Sequence, residues 1–332
     1  MHSMITNEYK EIVENKKGKV DVTPIANFFR NEIKEQITKI GGKPRMVAFL
    51  TTDDQGALDY SKWTKIACNK DGIEFILKRI ERVDLEDAII EANQDDDVHG
   101  IMVYYPVFGG MLDSYLQDVI SPEKDVEGLS TTNRFNLYHN IRYLDKEMTK
   151  KCVIPCTPLA IVKIIEQLGI YRENVELGQA LVGKEITIIN RSEIVGRPLA
   201  AMLANDGAIV YSIDINGIIM FEAGKRYGTI KMVETKITKE EAMLKSQVLI
   251  LGVPSPNYKV NSDLIKEGTV VINFAGCLNV DEDIDSKTIL VPTIGKVTIA
   301  MLERNLMRLY NNQRLKKTLP PQDQLNQYQY YH

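Results

Sequence analysis

An α/β chain of two domains is what this sequence predicts, and three observations carry that expectation. Short apolar, β-branched runs recur between amphipathic stretches, the alternation of a parallel sheet covered by helices. The length of 332 residues exceeds what one hydrophobic core usually serves. In the second half, Glu185–Asp214 reads as strand, phosphate-sized turn, helix and second strand ending on an acid.

The first half is justified element by element. Residues 25–40 read as an amphipathic helix and 45–50 as a strand. Residues 59–70 read as a helix stopped by Gly72, and 72–77 as a strand. Residues 85–93 form a helix pattern, and 100–105 a strand ending at Pro106. Residues 121–128 are a polar loop with three carboxylates. Thr157 and Pro158 then open a helix over 159–168 that bridges to the second unit.

In the second half, residues 185–189 are an unbroken apolar run, the mark of a buried strand. Leu199, Met202 and Leu203 give the helix of 198–205 its spacing, and Gly207 follows its end. Strand patterns recur at 208–213, 247–251, 269–273 and 289–291. The connection 216–245 has enough Ile, Met and Phe to be ordered. A last helix over 297–311 carries Met301, Leu302, Leu306 and Leu309, and the Gln/Tyr-rich end beyond Thr318 reads as a tail.

The turn 190–198 is the most informative stretch. A helix N-terminus there would offer N–H groups to a pyrophosphate, and Asp214 would accept from ribose hydroxyls. Asn190 and Ser192 stand where a dinucleotide fingerprint has glycines, and only Gly196 remains. By itself the pattern fits a cofactor site or an ordinary strand–helix unit with a solvated Asp214.

Composition narrows the class. A net charge of −4 without a basic cluster argues against nucleic acid, and 44% hydrophobic with 26% charged residues is ordinary for a globular protein. No apolar run reaches a membrane span, and the start lacks the apolar core of a secretion signal, so a cytoplasmic protein is expected. Cys68, Cys152, Cys156 and Cys277 are expected as reduced thiols. Four histidines give little material for a metal site or a Ser-His-Asp triad, and no metal is expected.

Six segments in order carry a resemblance. They are Tyr60 with Ala67 and Cys68; 100–103 leading to Pro106; 122–128; 155–158; Arg191, Ser192 and 194–196 with Pro198; and 298–302. Over about residues 45–305 the chain resembles the methylenetetrahydrofolate dehydrogenase/cyclohydrolase family, closest to its fungal monofunctional NAD-dependent branch. The resemblance implies an N-terminal α/β folate domain and a Rossmann-type dinucleotide-binding domain with a cleft between them. The expected boundaries are 5–158 plus a returning helix within 297–332 for the first, and 159–296 for the second. It also implies a homodimer.

The resemblance assigns Tyr60 to stacking on the folate ring, although a half-buried core tyrosine fits the helix equally. Asp125 and Glu127 fall where the family has two aspartates, the second on the pterin edge; loop acids facing solvent are the plain alternative. Gly295 could permit close approach to a ligand, and Lys296 could sit by the folate tail or on the surface. Asn190, Arg191, Ser192, Val195, Gly196, Asp214 and Ile215 are the expected cofactor contacts.

Two departures bear on activity. Bifunctional members carry a lysine four residues after the tyrosine and a glutamine two before the proline; here these are Thr64 and Tyr104. With Tyr60, Trp63, Thr64 and Ala67 expected on one inward stripe, Lys62 and Lys65 lie about 200° and 140° round the helix and cannot substitute. Hydride loss from the one-carbon bridge needs positioning only, whereas opening the methenyl ring needs water and proton transfer. The expectation is therefore a dehydrogenase without cyclohydrolase activity, with Tyr60, Thr64 and Tyr104 as the catalytic-site positions.

Asp214 favours NAD by repelling a 2′-phosphate, and is weighed above Arg191, which could pair with Asp214 or with phosphate. Rival readings are a bifunctional enzyme, a Rossmann dehydrogenase of another substrate, and a non-catalytic ligand sensor.

Overall fold

The computed structural model describes residues 9–318, which form a three-stranded parallel sheet and an eight-stranded mixed sheet, joined by helices. After α1 (Lys10–Asn15) and β1 (Gly18–Lys19), the first half runs α2 (Thr23–Ile40), β2 (Arg45–Leu50), α3 (Gln55–Lys70) and β3 (Glu74–Arg79). It continues with α4 (Leu85–Gln94), β4 (Gly100–Val103), α5 (Gly110–Val119) and α6 (Thr131–Tyr138). Its sheet has the order β3-β2-β4, all parallel.

The central strand β2 shows why the sheet is covered on both faces. Met46, Ala48 and Leu50 enter one core, while Val47 and Phe49 enter another with Leu85, Ile89 and Leu116 from α4 and α5. Period-two alternation with both sets apolar leaves no face for water.

The second half begins with α7 (Cys156–Gln167) and follows β5 (Glu185–Ile189), α8 (Gly196–Asn205), β6 (Ile209–Asp214), β7 (Gly217–Ala223) and β8 (Ile230–Glu234). Then come α9 (Lys239–Lys245), β9 (Val248–Leu251), β10 (Val270–Asn273), β11 (Ile289–Val291) and α10 (Gly295–Thr318). Strand order is β1-β11-β10-β9-β5-β6-β7-β8. The run β6-β5-β9-β10-β11 is the doubly wound Rossmann order, and the chain reverses direction across the sheet between β5 and β9.

Several expectations are corrected here. The connection 216–245 is an antiparallel hairpin, β7–β8, that extends the sheet beyond β6, followed by α9 with a Thr238–Glu241 capping box. Gly18 and Lys19, expected in the first domain, pair with β11 of the second sheet. Helices α5 and α6 were not expected. Residues 5–8 and 319–332 of the expected first domain lie outside the described residues.

The returning helix α10 ties the halves together. It packs on α2 and α7, and Met301, Leu302 and Leu306 share one core with strands of both sheets. Buried Asn305 donates to the carbonyls of Val126 (2.9 Å) and Ile154 (2.8 Å), and Arg308 donates to Cys152 O (3.0 Å). Together these bonds tie the loops at 126 and 152–154 to α10.

Candidate active site

Helix α3 presents Ser61, Thr64, Ala67 and Cys68 as its buried face, with Tyr60 half-buried beside them. Trp63, expected on the inward stripe, is 61% exposed, so that expectation is wrong. The face was misjudged because its buried centre is small and polar, whereas Trp63 and Ile66 point to solvent. Lys62 and Lys65 are exposed, as expected.

Thr64 is fully buried and its hydroxyl donates to Tyr60 O at 2.8 Å, back along the helix. Tyr104, just past β4, packs edge-to-face on Tyr60 with centroids 6.1 Å apart and planes at 82°. Its hydroxyl lies beside Thr64 yet is buried without a hydrogen-bond partner of good geometry. Burial pushes the Tyr60 and Tyr104 phenols well above their ordinary range, so both stay neutral.

The loop after α5 brings a carboxyl to this cluster. Asp125 is 1% exposed and its oxygens accept from Gly128 N–H (2.8 Å), Ser130 N–H (2.8 Å) and Asn133 Nδ2 (2.9 Å). That set consumes the carboxylate in shaping the loop, against the expected ligand contact. Gly128 makes the turn possible: its φ is +71°, and a Cβ there would meet Pro155 N at 2.9 Å.

Glu127 is turned the other way. It accepts a single N–H, from Val103 at 3.2 Å, and lies near Tyr60, Tyr104 and Tyr105. Loss of hydration pushes its carboxyl up to about 8, an effect the Val103 N–H offsets in part and neighbouring Asp125 reinforces. Lys124, the buried lysine of the same loop, spends its ammonium on the carbonyls of Ala92, Asn93 and Asp95. The cluster therefore holds aromatic rings and a carboxyl held protonated by burial.

The turn after β5 sits at the sheet's switch point. Asn190 Nδ2 donates to Gly252 O at the end of β9 (2.8 Å), and its Oδ1 accepts from Ser192 N–H (3.0 Å) and Oγ (2.8 Å). Ser192 Oγ accepts from Val195 N–H (3.2 Å) and Gly196 N–H (3.4 Å), so the α8 N-terminus is bound by its own loop rather than bare. A Cβ on Gly196 would lie 2.1 Å from Asn190 O; only glycine lets helix and strand end approach this closely.

A cavity of about 570 Å³ opens beside this turn, lined by Asn190, Arg191, Ser192, Asp214 and Ile215 among others. Asp214 is exposed and Ile215 is 95% exposed. Arg191, weighed earlier as a partner for Asp214 or phosphate, instead donates to Ser212 O (2.6 Å), Ser212 Oγ (3.3 Å) and Gly217 O. Those bonds close the β6–β7 hairpin.

The structure adds Lys239, Gly252, Val253 and Tyr258 to the lining. Only Gly252, in a turn after a strand, carried a sequence signal. The concave shape, a size typical of small-ligand pockets and the tight glycine approach fit an adenosine diphosphate moiety. Val195 caps α8 outside the lining.

Gly295 starts α10 with open space around it, so no contact among the described residues demands glycine there. Lys296 is mostly exposed; it donates to Thr23 Oγ1 and lies 3.9 Å from Asp21 at the start of α2.

Fold and site together define a two-domain Rossmann protein of the dehydrogenase type, with a cavity at the sheet's switch point in one half and an aromatic–carboxyl cluster in the other. The tetrahydrofolate dehydrogenase/cyclohydrolase catalytic-domain model matches residues 20–127, and the NAD(P)-binding-domain model matches 155–314. The chain is 79% identical to methylenetetrahydrofolate dehydrogenase [NAD(+)] of Dictyostelium discoideum over 92% of its length and 98% of the relative. It is 28% identical to the bifunctional protein FolD of Petrotoga mobilis, over 89% and 97%. The solved NAD-dependent 5,10-methylenetetrahydrofolate dehydrogenase of Saccharomyces cerevisiae superposes with a TM-score of 0.86 at 47% identity, covering 91% and 99%. The chain belongs to the tetrahydrofolate dehydrogenase/cyclohydrolase family.

Proposed function

We propose that this protein oxidises 5,10-methylenetetrahydrofolate to the methenyl form with NAD and lacks cyclohydrolase activity. The carrying observation is the closed cluster of Thr64, Tyr60 and Tyr104. Where bifunctional relatives are expected to hold an amine and an amide, this chain buries a hydroxyl and a phenol. When bound, NAD accepts a hydride from the one-carbon bridge.

Tyr60 offers its ring to the folate, and Glu127 accepts from the pterin amino and ring N–H groups in its ionised form, the minor one near neutrality. Neither Thr64 nor Tyr104 can take a proton near neutrality, so the two positions that differ from the bifunctional pattern supply no base for ring opening.

Asn190, Arg191, Ser192, Val195 and Gly196 shape the pyrophosphate turn, Asp214 receives the adenosine ribose, and Ile215 flanks it. Asp125 supports Glu127 indirectly, and Gly295 leaves room where the returning helix begins. We assign residues 5–158 with the C-terminal helix to the folate domain and 159–296 to the cofactor domain, with β1 crossing between them.

A cytoplasmic homodimer is the form we infer. The four thiols are unpaired among the described residues, and no described helix is long and apolar enough to cross a membrane. The edge strand β8 leaves Met232 exposed for a partner. The reaction would supply oxidised one-carbon units to purine synthesis.

The test is formation of reduced nicotinamide from methylenetetrahydrofolate and NAD, alongside loss of the methenyl chromophore. Reduction without accelerated methenyl loss is expected. Methenyl hydrolysis faster than the spontaneous reaction would overturn the single-activity reading.

A further inference from the structure

The ribose end of the nucleotide cavity has a charge pattern that binding NAD does not require. Among the described residues lining it, Asp214 is the one acid, and Arg191 and Lys239 are the cations. Both cations spend their hydrogen bonds on neutral acceptors. Arg191 is fixed on backbone carbonyls and the Ser212 hydroxyl. Lys239 Nζ donates to Tyr258 Oη at 2.6 Å and sits 4.8 Å from the centre of that ring. The capping box of Thr238 and Glu241 holds the backbone of Lys239 in the first turn of α9, so the ammonium is anchored at the cavity wall.

We propose that Lys239, parked on Tyr258, is a second specificity residue: the pocket is a latent receptor for a 2′-phosphorylated adenosine, which Asp214 alone holds shut. This rests on the reading of the cavity as the adenosine site. A 2′-phosphate brings up to two negative charges beside Asp214 and is repelled. With that carboxylate gone, the phosphate meets two cations and no acid. Arg191 contributes charge from a position fixed by its Nε and Nη2 bonds. Lys239 contributes a donor, because a bond to a neutral phenol is weaker than one to a phosphate and the four-carbon stem can swing.

Calorimetric titration of the full chain with 5′-AMP and 2′,5′-ADP tests this without turnover. Wild type should bind 2′,5′-ADP no better than 5′-AMP. Asp214→Ser should tighten 2′,5′-ADP about tenfold, and adding Lys239→Ala should abolish most of that gain while leaving 5′-AMP nearly unchanged. Lys239→Arg in the same background should retain the gain, which separates charge from damage to α9. If the double variant binds 2′,5′-ADP as tightly as Asp214→Ser, Lys239 has no such role and the adenosine site stands. If Asp214→Ser alters neither titration, the cavity reading itself fails.

Discussion

Raising the pH from about 7 to about 9 should lower the Michaelis constant for methylenetetrahydrofolate about tenfold, because of Glu127. Its carboxyl is pushed up to about 8 by lost hydration and by Asp125, with only the Val103 N–H opposing. The pterin edge presents donors, so the form that binds is the ionised one. At pH 7 about one molecule in ten carries it, and at pH 9 about nine in ten. Apparent affinity scales with that competent fraction. Neighbouring titratable groups do not confound the window, since burial pushes the Tyr60, Tyr104 and Cys156 groups well upward. The assay is the initial rate of nicotinamide reduction against folate concentration at saturating NAD. Glu127→Gln should raise the Michaelis constant and flatten its pH dependence. A wild-type value constant across this range, or the same slope in the glutamine variant, would refute the reasoning.

Three further outcomes follow from the packing. Glu303 on α10 is fully buried beside Asp71 and Arg30, and burial with the Asp71 charge pushes its carboxyl up to about 8. A raised carboxyl means the folded chain keeps a proton the unfolded chain releases, so stability falls between about pH 4.5 and 8. Glu303→Gln should be more stable than wild type by up to about 5 kcal/mol at pH 9 and similar at low pH, read by denaturant unfolding. Arg30→Ala leaves buried Asp71 with Lys34 as its remaining ion pair and Glu303 with none among the described residues, and should cost about 3 kcal/mol at neutral pH, measured the same way; no loss would refute a stabilising role for Arg30. Gly196→Ala forces a Cβ to 2.1 Å from Asn190 O, so the NAD Michaelis constant should rise steeply; unchanged cofactor kinetics would contradict the tight turn.

What the sequence disclosed and concealed has a physical pattern. Strands β5, β9 and β10 are buried on both faces, so their unbroken apolar runs announced them. Helix α5 was hidden because Met111, Leu112 and Tyr115 are exposed apolar residues that blur its period. The hairpin β7–β8 was hidden because its strands are mostly half-exposed and its role is to extend an edge. Trp63 misled because burial on α3 follows the returning helix and the cleft, not side-chain hydrophobicity. Glu127 was legible as a carboxyl in the right loop, but its difference from Asp125 depends on which backbone N–H groups the fold aims at each. Lys239 and Tyr258 lie 19 residues apart and meet only through packing.

The amides of Asn305 and the guanidinium of Arg308 reach back to residues 126, 154 and 152, and Gln313 to the carbonyls of His99 and Glu123. The loop that aims Glu127 is thus completed by residues made much later in the chain. During translation the amino-terminal sheet must wait, with its apolar face open, until the ribosome has released α10. A nascent chain arrested at residue 294 should therefore leave that sheet open to protease, and release of the full chain should protect it.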